Sequence, residues 1–159
     1  AALLLAFIVV QRLAELVIAR ANTARLLANG AYEVGAAHYP LIVALHSAWI
    51  LALIWFGLDQ PLNLFWLTVY ILLQGFRLWI LGTLGRRWTT RIIVTDTPLV
   101  ARGPFAYVRH PNYLLVVAEI AAAPLALNLP WVALVFTLLN AGVLAIRIRA
   151  EDRALRGGA

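Results

Sequence analysis

Residues 102–128 read RGPFAYVRHPNYLLVVAEIAAAPLALN. The stretch opens polar and aromatic, turns apolar after Tyr113 with Glu119 as its one charge, and closes on Asn128. Gly103-Pro104 is a turn signal. Pro111 restrains His110 to an extended conformation and suits the first turn of a helix. His110 is therefore expected just before a helix N-terminus, where orphan N–H groups and the positive end of the helix dipole receive carboxylates or phosphates. The apolar run 113–128 reads as a helix, and Pro124, Asn128 and Pro130 predict a tight turn into a second run, 130–148. A polar loop thus feeds a helical hairpin.

Outward from that hairpin the chain stays greasy. Of its 159 residues, 64% are hydrophobic and 13% charged, and the mean hydropathy is +0.87, values that belong to an integral membrane protein. A bilayer-spanning helix takes about 20 apolar residues, and three more stretches qualify, near 2–19, 40–58 and 62–84. Arg12 and Glu15 interrupt the first, and no small-residue cleavage site follows it, so it is expected to be a mature helix rather than a signal peptide. The expectation is an all-α, polytopic membrane protein with five transmembrane helices, the last two a hairpin that does not span the full thickness at every point. With no repeat or linker, 1–159 reads as a single domain. Methionine is absent, which predicts that residue 1 is not the translational start.

All 13 basic residues are arginine. They sit beside apolar segments rather than on a polar face, which favours a membrane surface over nucleic acid. Connection 20–39 carries Arg20 and Arg25; 85–112 carries Arg86, Arg87, Arg91, Arg102 and Arg109; the tail carries Arg147, Arg149, Arg153 and Arg156. The connections near Asp59 and Asn128 carry none. Positive residues accumulate in cytoplasmic loops, so the N-terminus is expected outside, with the polar loop and the C-terminus in the cytoplasm.

With no cysteine, chemistry falls to His, Tyr, Glu, Asp, Asn and Arg. Arg109, His110 and Tyr113 are either interfacial anchors or a site. Glu119 is costly inside an apolar helix and shares a face with Asn112; with Arg77 it forms either a structural ion pair or part of a functional interior. Arg147 and Glu151 stand i, i+4 on what is either a solvated helix end or a pocket wall. His38 and His46 are eight apart, too far for one helix to offer both to a metal, and no zinc signature exists; with Tyr39 they are candidates to line a pocket. Nucleotide-binding glycine loops and hydrolase elbows are missing too.

RGPFAYVRHPNY at 102–113, an apolar hairpin and then R-x-x-x-E-D at 147–152 together resemble the isoprenylcysteine carboxyl methyltransferase family of integral membrane enzymes, in its small bacterial form. LGRRWTTRI at 84–92 resembles the segment before that motif, and the likeness runs from about 74 to the end, making 74–156 the expected catalytic core. The resemblance implies S-adenosyl-L-methionine as cofactor, bound at the cytosolic loop by His110, Pro111 and Tyr113 with Glu151 closing the pocket. Gly103, Pro104 and Tyr107 would shape the loop, and Arg109 and Trp88 would add contacts. Glu151, Arg147 and Glu119 are the catalytic candidates. Leu115 departs from the pattern, since many relatives carry Gly there. The implied partners are a lipophilic or lipid-modified acceptor, carboxylate or hydroxyl, and membrane lipids; the expected location is a bacterial inner membrane. An NADPH-dependent membrane reductase with a similar R-H-P-N-Y loop, and a non-catalytic membrane protein, are the alternatives.

Overall fold

The computed structural model describes residues 1–95, 100–108 and 110–155. Five helices carry the chain: α1 (Ala2–Ala28), α2 (Tyr39–Gly57), α3 (Leu64–Leu84), α4 (Pro111–Ala126) and α5 (Pro130–Leu155). Four of them, α1, α2, α3 and α5, are long and apolar enough to cross a membrane. The protein is an integral membrane protein. The expected fifth span falls short: the 16 residues of α4 rise about 24 Å at 1.5 Å each, against a hydrocarbon core of about 30 Å. Proline sets both limits. Pro111 opens α4, and the turn after Pro124 closes it, with Asn128 at φ 55° and the Leu129 N–H donating to the Pro124 carbonyl at 2.8 Å.

The fold is mostly helical, as expected of an all-α chain, with one short β-ribbon added to it. Tyr32–Val34 (β1) pairs antiparallel with Ile92–Val94 (β2), in the register Tyr32↔Val94, Glu33↔Ile93, Val34↔Ile92. Three-residue strands leave no readable alternation, so both segments look like loop in the sequence. Off the ribbon, Arg91 reaches Glu33 at 2.8 Å and lies over the Tyr39 ring, 4.0 Å from its centroid.

Lipid is as apolar as leucine, so close packing rather than the hydrophobic effect holds such helices together. Accordingly Ala122, Ala123 and Ala126 on α4 are buried at the interface. Gly57 ends α2 against Leu127, whose Cδ1 stands 2.9 Å from where a Cβ would be. Trp49 is fully enclosed, and its Nε1 donates to the Ile120 carbonyl at 3.2 Å, fixing α2 to α4. The outer surface is apolar, with Leu3, Trp55 and Leu72 facing away from the bundle.

The two ends differ. At one, Asn63 N–H donates to the Ala126 carbonyl at 2.8 Å and Asn128 Nδ2 to the Pro61 carbonyl at 2.6 Å, stitching together the connections that carry no arginine. At the other lie the ribbon, residues 85–95 and 100–108, and the end of α5. There Arg25 donates to the Arg86 carbonyl, and the arginine-rich connections gather as their spacing implied.

Candidate active site

Between α3 and β2 the backbone is irregular from Trp88 to Thr90, and a buried irregular segment needs partners for its polar groups. They come from three helices. Asn22 of α1 donates to the Trp88 carbonyl at 2.9 Å, and Thr23 bonds the Thr89 hydroxyl at 2.5 Å. Tyr39 of α2 meets the Thr90 hydroxyl at 3.0 Å, while Arg147 of α5 donates to the Thr90 carbonyl at 2.8 Å. The indole of Trp88 is buried against Ala19, Ile80 and Leu115. This segment is thereby a rigid partition.

His110 caps α4 from outside its first turn, as the Pro111 signal implied. Its ring lies 5.2 Å from that of Tyr113. The Tyr113 hydroxyl donates to Glu151 Oε2 on α5, which leaves Glu151 Oε1 facing His110 Nδ1 at 3.9 Å, beyond hydrogen-bond reach. His110 Nε2 stands 3.4 Å from Asp152 Oδ1. Among the buried donor and acceptor atoms described here, His110 Nε2 and Arg147 Nε make no hydrogen bond. A native interior rarely leaves such atoms unmade, so they mark places where a ligand's polar atoms fit.

Two cavities meet at the partition. The outer one, of about 230 Å³, has His110, Tyr113 and Glu151 on one side and Phe105, Ile93 and Val94 on another. The inner one, of about 160 Å³, reaches between the helices, where Ile42, Ile50, Val116 and Leu144 give it an apolar wall and Arg12, His46 and Arg147 add polar groups. Trp88, Thr89, Asn112, Tyr113 and Arg147 belong to both. The chamber at the loop end is the more polar of the two and the one between the helices the more apolar, and they share these five side chains as a common wall.

Of the residues singled out from the sequence, His110, Pro111, Tyr113, Trp88, Arg147 and Glu151 come together around the outer cavity. Others do not. Tyr107 is 83% exposed and lines neither chamber. Gly103 and Pro104 pack the loop instead of touching a cavity: Pro104 is buried, and at Gly103, where φ is +59°, a Cβ would stand 2.6 Å from Thr83 Oγ1. Arg109 lies outside the described residues. Leu115 is buried behind Trp88, so its departure from the family pattern changes packing rather than either cavity wall. Tyr39 and His46 line the inner cavity, while His38 does not.

Glu119 resolves towards the ion pair. It receives both Arg77 Nη2 and Arg77 Nε, the latter at 3.2 Å, together with Gln74 Nε2 at 2.7 Å. On its other side Arg77 donates to Glu15 Oε1 at 2.6 Å. Both carboxylates are buried, and Glu119 is absent from the walls of both chambers. The sequence marked Arg12 and Glu15 only as interruptions of a helix, yet both face the inner cavity.

The isoprenylcysteine carboxyl methyltransferase (ICMT) family model matches residues 66–157. The chain is also 40% identical to YpbQ of Bacillus subtilis (strain 168) over 161 residues, 97% of this chain and 95% of that protein. The chain belongs to the isoprenylcysteine carboxyl methyltransferase family. A Haemophilus influenzae (strain Rd) protein is 28% identical over 137 residues, covering 82% of this chain and 80% of its own. No solved structure matches. ICMT proteins are membrane methyltransferases that use S-adenosylmethionine. The matched range holds His110, Tyr113 and Glu151 but not α1 and α2, so the inner cavity is built partly from helices the ICMT pattern does not describe.

Proposed function

We propose that the protein transfers a methyl group from S-adenosylmethionine to an oxygen of a lipophilic acceptor, at the cytoplasmic face of a bacterial inner membrane, with its N-terminus outside. The observation that supports this most is the pair of adjoining chambers, the outer one the more polar, sharing the wall of Trp88, Thr89, Asn112, Tyr113 and Arg147.

The outer chamber fits the donor chemically. S-adenosylmethionine brings an amine, a carboxylate, ribose hydroxyls and an adenine ring. Glu151 Oε1 is available to a cationic or hydroxyl donor. Arg147 Nε and His110 Nε2, which make no hydrogen bond although Asp152 Oδ1 stands 3.4 Å from the latter, suit the remaining polar atoms. The α4 N-terminus beside His110 favours a carboxylate, and Phe105 with Trp88 gives the base an apolar face. When bound, the sulfonium supplies an electrophilic methyl carbon: an oxygen lone pair forms the new C–O bond while the old C–S pair stays on sulfur. The protein then has to orient the two partners and exclude water. Tyr113, held by Glu151, and Arg147, held by Thr90, are the side chains placed to do so. The acceptor enters sideways from lipid, since Leu16 on α1 and Val43 and Ser47 on α2 line the inner cavity and are exposed on the bundle surface. Residues 74–156 form the catalytic core of a single domain, and Glu119 holds the bundle together.

Calorimetric titration of the purified protein with S-adenosylmethionine, its demethylated product and NADPH tests the reading. Binding of the first two without NADPH is expected. Binding of NADPH alone would make the protein a reductase, and binding of none would leave it a non-catalytic membrane protein.

A further inference from the structure

The inner cavity is lined by three guanidinium groups, Arg12, Arg77 and Arg147, and one carboxylate, Glu15. Glu119, behind the wall, joins Glu15 in balancing two of the three cations, which leaves one positive charge in excess, and an excess charge between apolar helices is costly unless something offsets it. Arg77 is fully engaged by Glu15 and Glu119. Arg147 spends Nη2 on the Thr90 carbonyl but keeps a buried Nε without a partner. Arg12 forms no hydrogen bond among the described residues; its guanidinium carbon lies 5.9 Å from the Trp49 ring centroid. His46 lines the same cavity and presents a buried Nδ1 that makes no hydrogen bond. Unmade donors and surplus positive charge converge on one apolar space that is open to lipid.

We propose that Arg12, outside the family-matched segment, is the anion receptor of the acceptor chamber, so that the cavity selects lipophilic acids whose oxygen is already ionised and rejects neutral alcohols of the same length. The inference rests on the methyltransferase reading for what happens next, but not for the binding itself. An ionised oxygen explains why, among the described residues, the inner cavity is lined by no carboxylate free to act as a base: its one carboxylate, Glu15, is bound to Arg77. Arg12 and Arg147 Nε would then supply the hydrogen bonds that the empty space leaves unmade. A carboxylate and an acidic hydroxyl share this chemistry.

The test uses the full chain in phosphatidylcholine nanodiscs, titrated calorimetrically with decanoate, a decyl-chain nitrophenolate and decanol, with empty nanodiscs subtracted. At a pH where both acids are ionised, at least one should bind about tenfold or more tightly than decanol, the scale of a hydrogen bond to a charged group. Whichever acid binds more tightly identifies the oxygen. Arg12→Gln should erase the preference and Arg12→Lys keep part of it, while affinity for the demethylated cofactor product stays at the wild-type value in both. Equal affinity of wild-type protein for acids and decanol overturns the proposal without reference to any variant, as does an undiminished preference in Arg12→Gln. An anion preference in a protein that binds no S-adenosylmethionine would sink the methyltransferase reading and leave this one standing.

Discussion

Glu119→Gln separates two roles for the most deeply buried carboxylate among the described residues. Arg12 and Arg77 face Glu15 and Glu119 in one cluster, so the four charges cancel. Glutamine keeps the volume and one oxygen for Arg77 but leaves the cluster with one positive charge in excess, around a carboxylate site only 1% exposed. Removing one partner of a buried pair costs about 3–5 kcal/mol, and the retained hydrogen bond puts this variant near the low end, about 3 kcal/mol. For a chain of this length each kcal/mol lowers Tm by about 2–4 °C, so a fall of roughly 6–12 °C is expected by tryptophan fluorescence in detergent. Affinity for S-adenosylmethionine should hold, because Glu119 touches neither chamber. Restoring parity is the control: Arg77→Met with Glu119→Leu leaves Arg12 opposite Glu15 and should recover much of the loss. A Glu119→Gln protein that melts within about 2 °C of wild type yet no longer methylates membrane-extract lipids would make Glu119 catalytic and refute the argument.

Tyr113→Phe removes the donor that orients Glu151 and should weaken S-adenosylmethionine binding by about tenfold or more, whereas Tyr107→Ala, at an exposed position outside both cavities, should leave the calorimetric affinity unchanged. Gly103→Ala places a Cβ 2.6 Å from Thr83 Oγ1 at φ +59°; a non-glycine residue in that region costs about 1–2 kcal/mol, so a thermal melt should fall by roughly 2–8 °C.

What the sequence made legible follows from the physics of each signal. Pro111, Pro124 and Asn128 punctuate backbone conformation locally, so α4 and the turn after it could be placed to within a few residues, and His110 at the helix entrance with them. Arginine spacing reports which connections share an end, and the ties from Arg25 to Arg86 and from Arg147 to Thr90 join those connections. The pairing of β1 with β2 was not legible, because Tyr32–Val34 and Ile92–Val94 lie some sixty residues apart and are three residues each. Hydropathy reads composition, not thickness, which is why α4 looked like a span when its 16 residues cannot cross about 30 Å.

The candidate site divides along the same line. Residues near the motif, from Trp88 through Glu151, could be gathered because one linear pattern names them. Arg12 could not. In sequence it is a blemish in an apolar helix, and a charge in such a helix has two resting states: paired inside the bundle, or snorkelling to the interface. Choosing between them needs the partner's position, and Arg77, which takes both available carboxylates, is sixty-five residues away. Only when α1 and α3 are side by side does it emerge that two carboxylates serve one arginine and leave the other facing an apolar cavity. The selectivity of the acceptor chamber therefore lies in α1 and α2, helices that precede the family-matched segment.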